Sequence, residues 1–424
     1  VSGIRPPIGI RGVVKGDGIL VRTTDLQAGC VLRHPIFDTQ GLLLLAAGVE
    51  LSERFIEGLR RRGVEAVQVH PDDVSGRGVR PRAVPRLVGA PSRSDTRTVE
   101  QRRKPLCQPY EQARSIRLER NFAAASDAIQ RMAQALLTGK AASSEILMAA
   151  ADAYVDELLD DPHHTIAAAL EHRTNIQLSE RSVQLSVLAM SISLELGWPR
   201  QDMLAVGLAG MVHDWGLLRL PVEIRLPTQP LNHHDWELYC THPLITERML
   251  DQVQDATPTL KLVAGQVHEQ IDGSGYPRGI TLERIHPHSR VLNLADAYLA
   301  LTNPLAGRPS IVAYDAMAML LHHVSLGRFD ATVMRGLLQA VSLFPLGSWV
   351  ELSDLTPARV LRSTHEHYDR PIVEVLDSGS IQIIDLTRSD RFVTRPLIDP
   401  NFNQIRVSAG TSTGPLWNPI SNAA

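Results

Sequence analysis

Aromatic residues are scarce in this 424-residue chain, at 4% of the total, which argues against a ring-lined platform for sugars or nucleic-acid bases. Cysteine is scarcer still. Cys30, Cys107 and Cys240 form no close pair, so neither a disulfide scaffold nor a thiolate zinc site is expected. Neither sign of charge dominates, since 43 Lys and Arg face 46 Asp and Glu. No global field draws the chain to DNA or an anionic membrane, and nucleic acid is not expected as a partner. The longest strongly apolar run, Gly41 to Val49, falls far short of the ~20 residues of a spanning helix, so no membrane span is expected. The opening Val1-Ser2-Gly3-Ile4-Arg5 lacks the charged-then-apolar order of a signal peptide, and the expected location is cytoplasmic. What is present is 44% apolar and 21% charged residues, the balance of a globular protein with a sizeable core. At ~150 residues per domain the length allows two or three domains.

The pattern along the chain predicts a multidomain α+β protein, with a central all-α bundle flanked by small β-rich segments. Residues 1–72 read as a β-rich module: short strands at Gly18–Val21 and Val31–His34, a helix from Ser52 to Arg62 ended by Gly63, and a strand at Val64–Val69. Residues 73–107 change character. Between 74 and 105 they hold Pro81, Pro85, Pro91 and Pro105 and nine Arg or Lys against only Asp95 and Glu100. Such a stretch cannot bury enough surface to offset its ordering entropy, so a linker is expected, with a basic tether as the alternative. Residues 108–342 read as helical almost throughout, with Val183 to Leu196 preceding Gly197 and later helices fitting 235–252, 256–269, 289–301, 311–323 and 330–340. Residues 343–405 return to strands at Trp349–Leu352, Ala358–Leu361, Pro371–Leu376 and Ile381–Leu386. A loosely held tail, 406–424, follows.

Twelve of the sixteen histidines lie between His163 and His323, but surface helices also carry histidine, so spacing matters more than number. The pair His213-Asp214 closes an apolar helical run. His242 follows Asp214 by 28 residues, His268 follows by 26 more, and Asp296 by another 28. Each interval holds one helix and its connection, so consecutive bundle elements can each present one group to a common centre. Nitrogen plus carboxylate oxygen suits Fe, Mn or Zn. Asp296, between Ala295 and Ala297, needs a paired partner on that apolar face, and a metal is a natural one. Helix caps or satisfied core positions remain the alternative. Between His268 and Asp296 runs His268-Glu269-Gln270-Ile271-Asp272-Gly273-Ser274-Gly275-Tyr276-Pro277, whose two glycines and proline read as a tight loop.

Here the chain resembles the HD-GYP phosphohydrolases, a bacterial branch of the HD superfamily. His213-Asp214 matches the HD pair, His268-Glu269 with Asp272 to Pro277 matches the HHExxDGxGYP block, and Asp296 matches the late metal-binding aspartate. The likeness covers roughly 160–342 and implies an all-helical domain that cleaves cyclic di-GMP with two or three metals, often iron. It assigns His213, Asp214, His242, His268 and Asp296 to metal, Asp214 and Arg308 to catalysis, and Arg308, Tyr276 and Gly275 to the substrate.

Four positions depart from the pattern. Arg181 stands where the family has its first ligand histidine, and Gln177 where some members have an acidic ligand. Val267 replaces the first histidine of the HHE block, and Leu217 the lysine that contacts substrate phosphate. Arginine offers only donors and valine no ligating atom, so at most two divalent metals (Fe or Mn favoured) are expected, with one or none as the lower cases. One ion would take His213, Asp214 and Asp296, the other Asp214, His242 and His268. Losing the charged phosphate contact at Leu217 is expected to cost ~100–1000-fold in rate. Arg181 is expected to turn toward Asp214 or Asp296. The resemblance thus implies a metal-dependent phosphodiesterase for cyclic di-GMP, of reduced activity. A catalytically inactive relative that binds nucleotide or a signalling protein is the alternative, and hydrolysis of another phosphate ester a third reading.

Overall fold

In the computed structural model, the described residues are 19–32, 34, 36–38, 43–45, 50–51, 53–61, 64–70, 73, 109–171, 176–227, 231–304, 309–364, 367–377 and 380–407. Nearly all of the expected linker, the tail beyond 407, the cap positions Ser52 and Gly63, and Arg308 lie outside them. The chain forms two compact units, one drawn mainly from Val1–Ser92 and one mainly from Arg93 onward.

In the first unit, strands β1 (Ile19–Arg22), β3 (Ile36–Asp38), β4 (Leu43–Leu45) and β6 (Ala66–Val69) make a sheet of order β1-β6-β3-β4, and β2 (Cys30–Val31) pairs with β5 (Glu50–Leu51). Helix α1 (Glu53–Arg61) buries Ile56 and Leu59 with Val21, Ile36, Leu51, Val67 and Val69, while Glu53, Glu57 and Arg60 stay exposed. That one-sided pattern is what a surface helix needs to dock on a sheet.

The second unit is built around α5 (Leu178–Glu195), following α2 (Gln112–Leu137), α3 (Glu145–Asp160) and α4 (Pro162–Ala169). Every residue of α5 from Ser182 to Ser193 is buried. Three of its serines tolerate this because Ser182, Ser191 and Ser193 donate their hydroxyls to carbonyls one turn back, whereas the Ser186 hydroxyl is buried without a partner. Helix α6 (Arg200–Val212) lies close against it, and a Cβ on Gly210 would stand 3.0 Å from the Ser186 Cα. A 3₁₀ turn (Trp215–Arg219) leads to α7 (Val222–Arg225), α8 (His233–Tyr239), α9 (His242–Leu250), α10 (Pro258–Gly265) and α11 (Pro287–Thr302). The single helix expected over 235–252 is therefore two. Proline lacks the N–H that a helix interior requires and fits the first turn, so Pro243 starts a new helix and His242 becomes its first residue.

After β7 (Ser310–Ile311), α12 (Ala313–Ser325) and α13 (Ala331–Val341) comes an antiparallel sheet. It comprises β8 (Trp349–Leu352), β9 (Pro357–Arg362), β10 (Ile372–Asp377), β11 (Ser380–Asp385) and β12 (Val393–Leu397), in order β11-β10-β9-β8-β12. Strand β13 (Gln404–Ile405) pairs parallel with β7. The sheet shares a unit with the helices, and a buried pair ties them together. Arg362 on β9 donates to both oxygens of Asp161, at 2.7 and 3.0 Å, and Asp161 also caps α4 through the His164 N–H. No helix among the described residues is long and apolar enough to cross a membrane.

Candidate metal centre

Five side chains from four stretches of chain meet in the helical unit. His213 and Asp214 follow the last turn of α6, His242 opens α9, His268 follows α10, and Asp296 lies in the middle of α11. All are buried, none more than 6% exposed. Asp214 Oδ1 lies 3.2 Å from His242 Nε2 and 3.6 Å from His268 Nε2, and those two nitrogens face each other at 3.0 Å. Asp214 Oδ2 is 3.1 Å from His213 Nε2. Asp296 closes the ring, with Oδ2 3.5 Å from His268 Nδ1 and Oδ1 4.0 Å from His213 Nε2.

The backbone sets the imidazoles for ligation. His213 Nδ1 faces the Gly210 carbonyl at 2.9 Å, and His242 Nδ1 faces the Tyr239 carbonyl at 2.8 Å. A neutral ring that donates from Nδ1 keeps its lone pair on Nε2, here turned to the centre. Burial, reinforced by the neighbouring His268, pushes the His242 pKa below its ordinary value despite Asp214. Burial also pushes His213 down, but Asp214 and Asp296 outweigh it and the net shift is upward. For Asp214, burial alone would raise the pKa; the charge of His213 and the contacts with His242 and His268 hold it well below the carboxylate range.

These groups fit a cation. Asp214 Oδ1 and His213 Nε2 are buried and make no hydrogen bond, short as the surrounding distances are. Lone pairs crowded together without donors are costly unless a positive charge sits among them. Asp214, His242 and His268 can each offer a ligand atom, all within 4.8 Å of one another.

The departing positions behave differently from one another. Arg181, on the first turns of α5, turns inward and donates from a terminal nitrogen to Asp296 Oδ1 at 2.9 Å. Burial disfavours its charge, but Asp296 and Asp214 more than compensate and its pKa is raised. Val267 is fully buried, its carbonyl held by Asn293 at 2.8 Å. Leu217 is buried in an apolar cluster with Leu220, Ile224 and Leu231, against which Trp236 and Tyr239 pack. Gln177 is exposed at the start of α5, where its N–H donates to Glu180.

Of the substrate candidates, Tyr276 stacks on His268 with ring centroids 4.9 Å apart, and its hydroxyl is buried without a partner. Gly275 has a local reason to be glycine: a Cβ would come within 2.2 Å of the Gln270 nitrogen and 2.5 Å of the His268 carbonyl. Arg308 lies outside the described residues. Three supporting residues are invisible in the spacing. Glu269 accepts from the Arg278 and Ile280 N–H groups and pins the loop. Thr246 accepts from Gly216 and donates to the His213 carbonyl. Tyr239 orients His242 through its carbonyl. Only the glutamate, inside the motif block, carried any sequence signal.

A family model described as an HD domain matches residues 166–333. Over 154 residues the chain is 33% identical to a 3′3′-cGAMP-specific phosphodiesterase of Vibrio cholerae, covering 36% of each. Over 221 residues it is 29% identical to a cyclic di-GMP phosphodiesterase of Pseudomonas aeruginosa, covering 50% of this chain and 53% of that one. A solved structure of an HDG"Y"P protein from Bdellovibrio bacteriovorus aligns with TM-score 0.44 at 16% identity, over 76% of this chain and 98% of that chain. The chain thus spans about a third to a half of the length of these curated relatives. Its helical segment is an HD domain. Its His213-Asp214 pair and Asp272–Pro277 loop are similar to the motifs of the HD-GYP branch of that superfamily.

Proposed function

We propose that the chain is a divalent-metal-dependent phosphodiesterase for cyclic dinucleotides, cyclic di-GMP in particular, with activity reduced by its altered site. The observation that carries this reading is the inward convergence of Asp214, His242 and His268, with Asp214 Oδ1 and the neighbouring His213 Nε2 buried and making no hydrogen bond. Nitrogen and carboxylate ligands favour Fe or Mn over softer metals. A divalent ion supplies there the water activation and charge neutralisation that phosphodiester hydrolysis at neutral pH requires. Asp214 offers both carboxylate oxygens to the centre, His213 and His242 present Nε2 by virtue of their backbone contacts, and the Tyr276 hydroxyl is free to meet a ligand. Leu217 gives no charge to a phosphate, which is the physical reason for reduced activity.

One observation favours a second reading, a non-hydrolysing module that binds nucleotide or a signalling protein. Leu217, at the motif position where the resemblance implies a phosphate-binding lysine, sits within the apolar cluster formed with α7 and the segment before α8. Incubating the protein with Mn²⁺ or Fe²⁺ and cyclic di-GMP, and following linear product by chromatography, separates the two. Turnover that disappears in Asp214→Asn supports the enzyme. Stoichiometric metal without turnover of cyclic di-GMP, cyclic GMP-AMP or a generic phosphate ester supports the binding module.

A further inference from the structure

Asp214 and Asp296 bring two negative charges to the centre, and a guanidinium has already claimed one of the four oxygens. Arg181 donates to Asp296 Oδ1 at 2.9 Å, and that same oxygen is the atom of Asp296 nearest His213 Nε2, at 4.0 Å. His213 Nε2, Asp214 Oδ2 and Asp296 Oδ1 are the groups a second ion would use. We infer that the Arg181 guanidinium stands in for that ion, so that the chain binds one divalent metal, at Asp214, His242 and His268, with Asp296 held outside its coordination by Arg181.

The inference rests on the metal-dependent reading above. Charge arithmetic supports it. One divalent ion and one guanidinium give three positive charges against two carboxylates, a net single charge suited to an anionic phosphodiester. A second divalent ion would raise the net to three positive charges in a buried site, and like charges this close repel strongly where little water screens them. The oxygen lent to Arg181 is also poorly placed to ligate, because a lone pair engaged by a charged donor binds metal less well. Arg181 is thus a positioning residue: its donor fixes Asp296, and its side chain stays largely buried at 18% exposure.

The test is metal stoichiometry after loading with Mn²⁺ and desalting, read by elemental analysis together with the electron paramagnetic resonance of the bound ion. The wild type is expected to hold one Mn²⁺ per chain with the signal of an isolated ion. Arg181→His removes the fixed charge and supplies a ligand, and is expected to hold two ions with an exchange-coupled signal. Arg181→Lys keeps a cation and is expected to stay at one. Two ions in the wild type, or one in Arg181→His, overturns the inference while leaving the metal-dependent reading intact. No bound metal in the wild type overturns both. Should Arg181→His fail to fold, as judged by circular dichroism, Arg181→Ala takes its place: uptake of a second ion supports the inference, and retention of a single ion overturns it.

Discussion

Two buried arginine–aspartate pairs in the second unit share their chemistry and differ in completeness. At the junction of helices and sheet, Arg362 grips both oxygens of Asp161, and a backbone N–H adds a third donor. Burial alone would raise the Asp161 pKa, and these donors hold it below its usual value. In the centre, Arg181 makes one contact to Asp296, and the other carboxylate oxygen faces His268 at 3.5 Å; the Nε of each arginine is buried without a partner, so the two pairs differ at the carboxylates. A satisfied pair is a structural fastening. An under-satisfied one, surrounded by lone pairs, is suited to hold a further cation. Partner count, not residue type, separates the two roles.

The largest expected effect is at the satisfied pair. Arg362→Met leaves Asp161 buried and uncompensated, and denaturant unfolding should register a loss of ~3–5 kcal/mol. Arg181→Met in metal-free protein should cost less, ~1–3 kcal/mol, because only one charged hydrogen bond is lost. Equal losses at the two sites would erase the distinction between fastening and binding place.

A smaller effect concerns pH. His288 is buried beside His286, and both influences push its pKa down to about 4 against the opposing pull of Asp202. The folded protein thus favours neutral His288. Its contribution is fully present above ~6.5, the value for an unfolded histidine, and is lost as pH falls toward about 4, because the unfolded chain takes up the proton first. His288→Gln should flatten the stability profile across that window. An unchanged slope would show that other groups govern it. The smallest effect is expected from Tyr276→Phe. Its hydroxyl has no partner to lose, so stability should change by less than ~0.5 kcal/mol or rise, while turnover falls if the hydroxyl meets substrate.

Much of the centre was legible because its residues recur at helix-length intervals, and a bundle converts such intervals into convergence. Arg181 was legible for a related reason: its place in the motif put it on the inward face of α5. Leu217 was only half legible. Its lack of charge shows in the sequence, but its packing depends on Ile224 and Leu231, which return to it in space from later segments. Thr246 and Tyr239 were not legible at all, since a threonine hydroxyl and a backbone carbonyl leave no pattern. The break between α8 and α9 was missed by reading Pro243 as interior to one long helix. Strand β12 was missed because Pro396 and Arg395 obscure its alternation, though an outer strand tolerates both.

The most direct test of the metal centre is a crystal structure of Mn²⁺-loaded protein, with the ion located by its anomalous scattering. The account predicts one peak within ~2.0–2.3 Å of atoms from Asp214, His242 and His268, with Arg181 still bonded to Asp296. A peak ligated by Asp296 and His213 instead, or no peak among these residues at saturating metal, would contradict it.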